Sequence, residues 1–285
     1  MKEEIESLDS YTSFAYVYDT FMDQEPYDLW ADRFCAFLDE FGLPRTAVDT
    51  DKDDNLIAQE RNIVVDLGCG TGKLTEILAG RGYDMIGIDL SEDMLSIAQE
   101  RKIKNGSSTL YSLQDMRDFE LFGAAGSMVS VGDSINYLLE EQDLEDMFRC
   151  VARGLLPEGV FVFDFKTIHL YRDIIGDRTI AEDRGDCAFI WDNYYDSETC
   201  INEYDLAVFV RASMDDKNVD RSLFRRFDEV HQQRGYEPEQ LRLAAERAGL
   251  EWITARDADT GSAVSTMTER VMAAVRKPAV QPDHS

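Results

Sequence analysis

Val64-Val65-Asp66-Leu67-Gly68-Cys69-Gly70-Thr71-Gly72 reads as an apolar strand that runs into a glycine-rich turn, with a helical pattern over 73–81 directly behind it. A chain that leaves a buried strand and enters a helix this abruptly must bend sharply, and glycine lets a ligand approach the backbone with no Cβ in the way. The start of the following helix adds free N–H groups and partial positive charge. Spacing then separates the classes of ligand. A dinucleotide fingerprint beginning at Gly68 requires a third glycine at position 73, where Lys73 stands. A phosphate-binding loop ending at Gly72-Lys73 requires glycine at 67 and Ser or Thr at 74, where the chain has Leu67 and Leu74. Both alternatives fail on residue identity.

The next apolar run, Ile86-Gly87-Ile88-Asp89-Leu90-Ser91, ends on an acid 21 positions after Gly68. A carboxylate there lies beside the ribose of a nucleoside held at the turn and can accept from both hydroxyls. Alone, Asp89 also reads as a neighbour of the helix N-cap Ser91.

Outward from these two strands the same alternation continues. Strands are expected at 62–67, 84–89, 109–113, 127–131 and 160–165, and helices at 73–81, 91–104 and 143–155, which predicts an α/β fold with a parallel, doubly wound sheet. The pattern then changes. Segments 186–195, 200–211 and 223–233 read as consecutive strands with breaks at Asp196-Ser197 and 215–218, as expected of an antiparallel insertion. A helix over 239–248, stopped by Gly249, and strands at 250–257 and 270–277 close the fold. Upstream, Phe14, Tyr18, Phe21, Trp30, Phe34, Phe37, Leu38 and Phe41 recur at helical intervals, so two amphipathic helices broken near Pro26 are expected, followed by an acidic surface loop over 48–60.

Composition limits the partners. Of 285 residues, 57 are acidic and 29 basic, a formal charge of −28 that repels nucleic acid and anionic membranes. The bland reading of that charge is a solvated surface. No apolar run approaches the roughly 18 residues that span a bilayer, and the acidic N-terminus lacks the order of a secretory signal, so a cytoplasmic protein is expected. Cys35, Cys69, Cys150, Cys187 and Cys200 are odd in number and contain no CxxC pair, while His169, His231 and His284 are far apart; neither disulfides nor a metal site are expected.

With these segments in place the chain resembles the class I S-adenosylmethionine-dependent methyltransferases, whose first motif looks like Val64 to Gly72. The resemblance implies a Rossmann-like seven-stranded doubly wound sheet with an inserted antiparallel β-sheet and an N-terminal helical cap. It implies S-adenosyl-L-methionine as methyl donor and S-adenosyl-L-homocysteine as product. Residue by residue it carries over the ribose-binding acid to Asp89, the adenine-packing residue to Met94, and an acid on the adenine amino group to Asp115. The wider cofactor set it implies is Tyr11, Tyr18, Trp30, Asp66, Gly68, Gly70, Gly72, Asp89, Leu90, Met94, Asp115, Met116 and Gly132. A bacterial small-molecule branch is similar again at Phe14 to Asp19, Tyr27 to Trp30, Asp133 to Tyr137 and Arg226 to His231. One of its subgroups methylates amino groups of deoxysugars or small amines.

On that reading the units are a cap and acidic loop at 1–60, the donor-binding core at 61–167, an acceptor-side insertion at 168–236, a return to the core at 237–277 and a tail at 278–285. The acceptor is expected to be a small molecule, with amine nitrogen as target, and the protein a monomer or homodimer without nucleic-acid or membrane partners. Asp133, Tyr137 and His231 are the catalytic candidates, with Ser134 and Asn136 beside them at the carboxyl edge of the sheet. Each has a structural alternative: Asp133 in a capped loop, Tyr137 in the core, and His231 as a hydrogen-bonded strand residue. Tyr11, Tyr18, Tyr27 and Trp30 form either an aromatic lid, suited to a sulfonium, or the buried face of the cap helices. Cys69 reads as a small buried residue and not as a nucleophile. A protein or tRNA methyltransferase, a non-catalytic module that keeps the nucleoside site, and a nicotinamide enzyme are the rivals; Lys73 weighs against the last and the charge against tRNA.

Overall fold

The computed structural model describes residues 18–23, 26–45, 55–211 and 223–280. Tyr11, His284 and the break at 215–218 lie outside them, as does the first part of the acidic loop. After a helical turn at 18–21 come helices α1 (Tyr27–Phe41) and α2 (Asn55–Asn62). The alternating core follows as β1 (Ile63–Leu67), α3 (Lys73–Gly80), β2 (Asp84–Asp89), α4 (Glu92–Asn105), β3 (Leu110–Leu113), β4 (Ala125–Ser130), α5 (Glu141–Gly154) and β5 (Leu155–Lys166). Strands β6 (Arg178–Asp183), β7 (Cys187–Asp196), β8 (Ile201–Arg211) and β9 (Phe224–Arg234) come next, then α6 (Pro238–Arg247), β10 (Glu251–Asp257) and β11 (Arg270–Arg276).

Seven strands form one sheet in the order β10-β11-β5-β4-β1-β2-β3, and β6 to β9 form a second, antiparallel sheet. Strands β1 to β5 are mutually parallel, while β11 runs antiparallel to β5 and β10. The chain starts at the centre with β1, winds outward to β3, then crosses back to β4. That reversal opens a crevice at the carboxyl ends of β1 and β4, where open α/β sheets bind ligands. Helices cover both faces of the sheet, which explains why β1 and β4 are buried almost throughout, with no alternation of buried and exposed residues. On one face Leu144, Met147 and Phe148 of α5 pack with Leu241 of α6 against Phe161, Phe163 and Phe165. On the other, Trp30 and Phe34 of α1 and Leu74 and Leu78 of α3 pack against Val64, Val129 and Val162.

Local chemistry sets the ends of the elements. Ser91 caps α4 by accepting from the Met94 N–H at 3.3 Å, and Gly106 stops that helix in the left-handed region at φ +66°. Pro238 opens α6, where its missing N–H costs nothing.

Two expectations are corrected. The acidic loop was expected to run through Glu60, but Asn55–Asn62 is helix α2, too short and too polar to show a periodicity. The insertion has four strands and not three. Strand β6, Arg-Thr-Ile-Ala-Glu-Asp, is an edge strand with mostly exposed, charged residues, the composition that protects an edge and hides it from a hydrophobicity reading. A π-helical turn at Leu170–Ile175 and a 3-10 turn at Ser134–Tyr137 also carry no sequence signal of their own.

Candidate functional site

The glycine turn supplies the floor of the site. Gly68 has φ +74°, and a Cβ there would meet the Ser134 side chain at 2.5 Å, so no other residue fits. The amides of Gly68 and Cys69 both donate to the Ile88 carbonyl, at 2.8 and 3.0 Å, which ties the turn to β2. Gly70 has open space where a Cβ would point, so its backbone is approachable from the cavity. Its N–H donates to Asp89 Oδ2 at 2.7 Å, and the Ser91 N–H donates to Asp89 Oδ1 at 2.9 Å. One carboxylate therefore bridges the turn and the start of α4.

Burial dominates the electrostatics here. Asp89 is pushed up by burial, against the pull of those backbone donors. Asp66, 2% exposed, is pushed up to about 7 by burial, although Thr75 Oγ1 donates to it at 2.6 Å. The Cys69 thiol is raised by burial and by the neighbouring acids, which leaves it inert as a nucleophile. Asp115 behaves differently, because the Arg117 fork holds both of its oxygens and keeps it below the usual carboxylate range.

From this floor a single cavity of about 1040 Å³ extends to the inner face of the inserted sheet. Of the sequence-predicted residues, Tyr18, Trp30, Asp66, Gly68, Gly70, Asp89, Leu90, Met94, Asp115, Met116, Gly132, Asp133, Tyr137 and His231 all line it. Gly72 does not: it packs under the Tyr111 ring and opens α3 from the left-handed region. His169 is also elsewhere, buried and bonded through Nδ1 to Asp173 Oδ2 at 2.8 Å.

Asp133, one of the three catalytic candidates, is engaged by cations on both of its oxygens. Its carboxylate contacts Lys166 Nζ at 2.6 Å and Arg270 Nη2 at 2.7 Å, and Arg270 Nη1 reaches Asp164 Oδ2 at 2.8 Å. Burial raises it, but the two cations outweigh burial and hold it at about 2. Two cations and two carboxylates make a closed, neutral knot. Asp133 is its counter-ion and has no proton affinity to offer a substrate near neutral pH.

At the far end, His231 on β9 stacks against Tyr204 of β8 with ring centroids 4.9 Å apart, and Tyr204 packs on Trp191 of β7 at 4.6 Å. Tyr137, 46% exposed, reaches in from the 3-10 turn, with its hydroxyl 3.3 Å from both Tyr204 Oη and His231 Nδ1. Tyr137 is thus neither core nor remote. The helical turn at 18–21 is tied down at several points. Asp19 accepts from Thr71 Oγ1 at 2.9 Å and pairs with Arg101, and Phe21 packs edge-on to Phe189 of β7 at 4.9 Å.

Sequence reasoning missed Lys166, Arg270, Asp164, Glu229, Gln233 and Trp191. Asp164 did carry a signal: an acid inside the otherwise apolar run Val160 to Phe165 must be paired. So did β9, where Glu229, His231 and Gln233 alternate on one face. Among the described residues, no cluster of His, Cys, Asp and Glu is arranged to hold a metal ion, and no helix is long and apolar enough to cross a membrane.

Against known proteins, a family model described as a methyltransferase domain matches residues 64–159. The chain is 32% identical over 270 residues to YqeM, a methyltransferase-family protein of Bacillus subtilis (strain 168), spanning 94% of this chain and 97% of that one. It superposes with a TM-score of 0.78 and 25% identity on the crystal structure of an S-adenosylmethionine-dependent methyltransferase from Clostridium acetobutylicum, covering 95% of this chain and 100% of that one. Over 105 residues it is 35% identical to the dTDP-3-amino-3,4,6-trideoxy-alpha-D-glucopyranose N,N-dimethyltransferase of Streptomyces venezuelae, 37% of this chain and 43% of that one. Fold, site and relatives agree: the chain belongs to the class I S-adenosylmethionine-dependent methyltransferases.

Proposed function

We propose that the protein transfers a methyl group from S-adenosylmethionine to an amine nitrogen of a small molecule, with the donor at the glycine turn and the acceptor against the inserted sheet. The observation that carries this reading is the single cavity joining Gly68, Gly70, Asp89 and Asp115 to Tyr137 and His231. The donor-side residues fit the nucleoside: an approachable backbone at Gly70, a buried carboxylate at Asp89 for ribose hydroxyls, Asp115 for the adenine amino group, and Met94 and Met116 beside the base. The sulfonium supplies an activated methyl group and a neutral thioether leaving group.

What the chain adds is position and dryness. An in-line displacement needs the nucleophilic lone pair at roughly 3 Å behind the methyl carbon, with water excluded. Tyr18 and Trp30 supply aromatic faces that attract a sulfonium. Trp191, Tyr204 and Leu206 form an apolar wall for the acceptor, and Tyr137 and His231 are the polar groups set into it. The partial likeness to an aminosugar dimethyltransferase supports nitrogen as the target.

The experiment is calorimetric titration of the full chain with S-adenosylmethionine, S-adenosylhomocysteine, NAD and ATP, followed by a methylation screen of aminosugars and simple amines. Selective binding of the two sulfur nucleosides and transfer to an amine are expected. Binding of NAD alone, or transfer only to a protein, overturns the reading.

A further inference from the structure

Glu229 stands behind the acceptor wall and does not itself line the cavity. Its side chain is 4% exposed, and Oε2 lies 2.9 Å from His231 Nε2. Its other oxygen, Oε1, is buried with no hydrogen-bond partner among the described residues. A buried carboxylate oxygen without a donor lowers stability, so a purely structural residue here is better neutral or apolar. The geometry instead resembles the arrangement by which a carboxylate orients an imidazole. A carboxylate only accepts, so the shared proton sits on Nε2, and Nδ1 is left with its lone pair directed to Tyr137 Oη at 3.3 Å. Tyr204 stacks flat on the imidazole, 17° between planes, which fixes the rotation of the ring.

We propose that Glu229, His231 and Tyr137 form a proton relay, in which Glu229 is the positioning residue, and that this relay takes up the proton an amine acceptor loses on methylation. This deepens the methyl-transfer reading and rests on it. As the nitrogen lone pair forms the N–C bond, the C–S bond breaks with its electron pair passing to sulfur. The N–H proton passes to Tyr137 Oη while the Tyr137 proton moves to His231 Nδ1, and Glu229 balances the imidazolium charge. A later exchange with solvent returns the proton. The ionisable groups around the imidazole are Tyr137 on the 3-10 turn, Tyr204 on β8 and Glu229 on its own strand, with Asp133 beyond, already neutralised by Lys166 and Arg270. Among the described residues, no cation besides the imidazole pairs with Glu229.

The test is 15N NMR of the full chain with labelled histidine at pH 8, free of donor, with the His231 signals assigned through His231→Asn. The expected wild-type spectrum has His231 protonated on Nε2 and bare on Nδ1. Tyr137→Phe then shifts the Nδ1 resonance and leaves Nε2 in place, and Glu229→Met replaces the single tautomer by a mixture. A wild-type histidine protonated on Nδ1, or a Glu229→Met spectrum identical to wild type, overturns the proposal. The wild-type and Tyr137→Phe spectra decide it even where Glu229→Met does not fold. Because the measurement uses no donor, a failure of S-adenosylmethionine binding sinks the methyl-transfer reading and is distinguishable from a failure of the tautomer.

Discussion

The two ends of the cavity solve the problem of buried charge in opposite ways. At the glycine turn, Asp66 and Asp89 are buried without a cation, and burial pushes both up. At the base of the inserted sheet, Asp133 is largely enclosed, its side chain 14% exposed, but meets Lys166 and Arg270, and it is held at about 2. One end is short of positive charge and the other is self-sufficient. A ligand bearing a cation and hydroxyl donors completes the first and finds nothing to neutralise in the second.

The strongest test of this contrast is the pH dependence of Asp66→Asn. Asp66 is raised from 3.8 to about 7, so its contribution favours the folded state below about pH 4 and is lost as pH rises through 7. At about 1.4 kcal/mol per unit this amounts to something on the order of 4 kcal/mol. Asp66→Asn is therefore expected to gain on wild type between pH 4 and pH 8 in urea unfolding of the donor-free protein. A difference constant across that range breaks the comparison. Asp133 has the opposite sign: its contribution is present above about pH 4 and fades only as pH falls through 2.

Next in size is Asp89→Ala, which removes the carboxylate proposed to hold the ribose. Loss of charge-assisted bonds of this kind costs about 3 kcal/mol, or roughly a hundredfold in Kd for S-adenosylmethionine by calorimetry. His231→Asn, at the other end, is expected to leave that Kd within about twofold; equal losses in the two variants erase the distinction between the ends. Asn136→Ala should lower the unfolding free energy by about 2–3 kcal/mol, since a fully buried amide loses three hydrogen bonds. The smallest effect is expected for Asp19→Ala, about 1 kcal/mol or less, because its partners are partly exposed. A thermal melt reads both.

The same division explains what could be read in the sequence. The donor end is built from contiguous stretches: a turn at 68–72, an acid ending the next strand, a helix start at Met94 and an acid after β3. Each stretch reports its own conformation through glycine, capping and apolar pattern. The acceptor end depends on register. Tyr204 faces His231 only because β8 and β9 pair as they do, and Arg270 reaches Asp133 only because β11 lies beside β5. Spacing along the chain carries no trace of such meetings, so the two cations beside Asp133 cannot be read from the sequence. Strand β6 and helix α2 are hidden for a related reason, since the six residues of one are mostly exposed and the eight of the other are mostly polar, too few apolar positions to print a period.

Asn136 has a meaning beyond its stability. Its amide donates to the carbonyls of Lys166 at 2.9 Å and Arg234 at 2.7 Å, and its oxygen accepts from the Lys166 N–H at 2.9 Å. Lys166 is the last residue of β5 before the insertion and Arg234 the last of β9 within it. One side chain thus staples together the exit and the return of the excursion, at its neck. With the neck clamped by this one amide, a substitution on the inner face of the inserted sheet is expected to leave the glycine turn undisturbed.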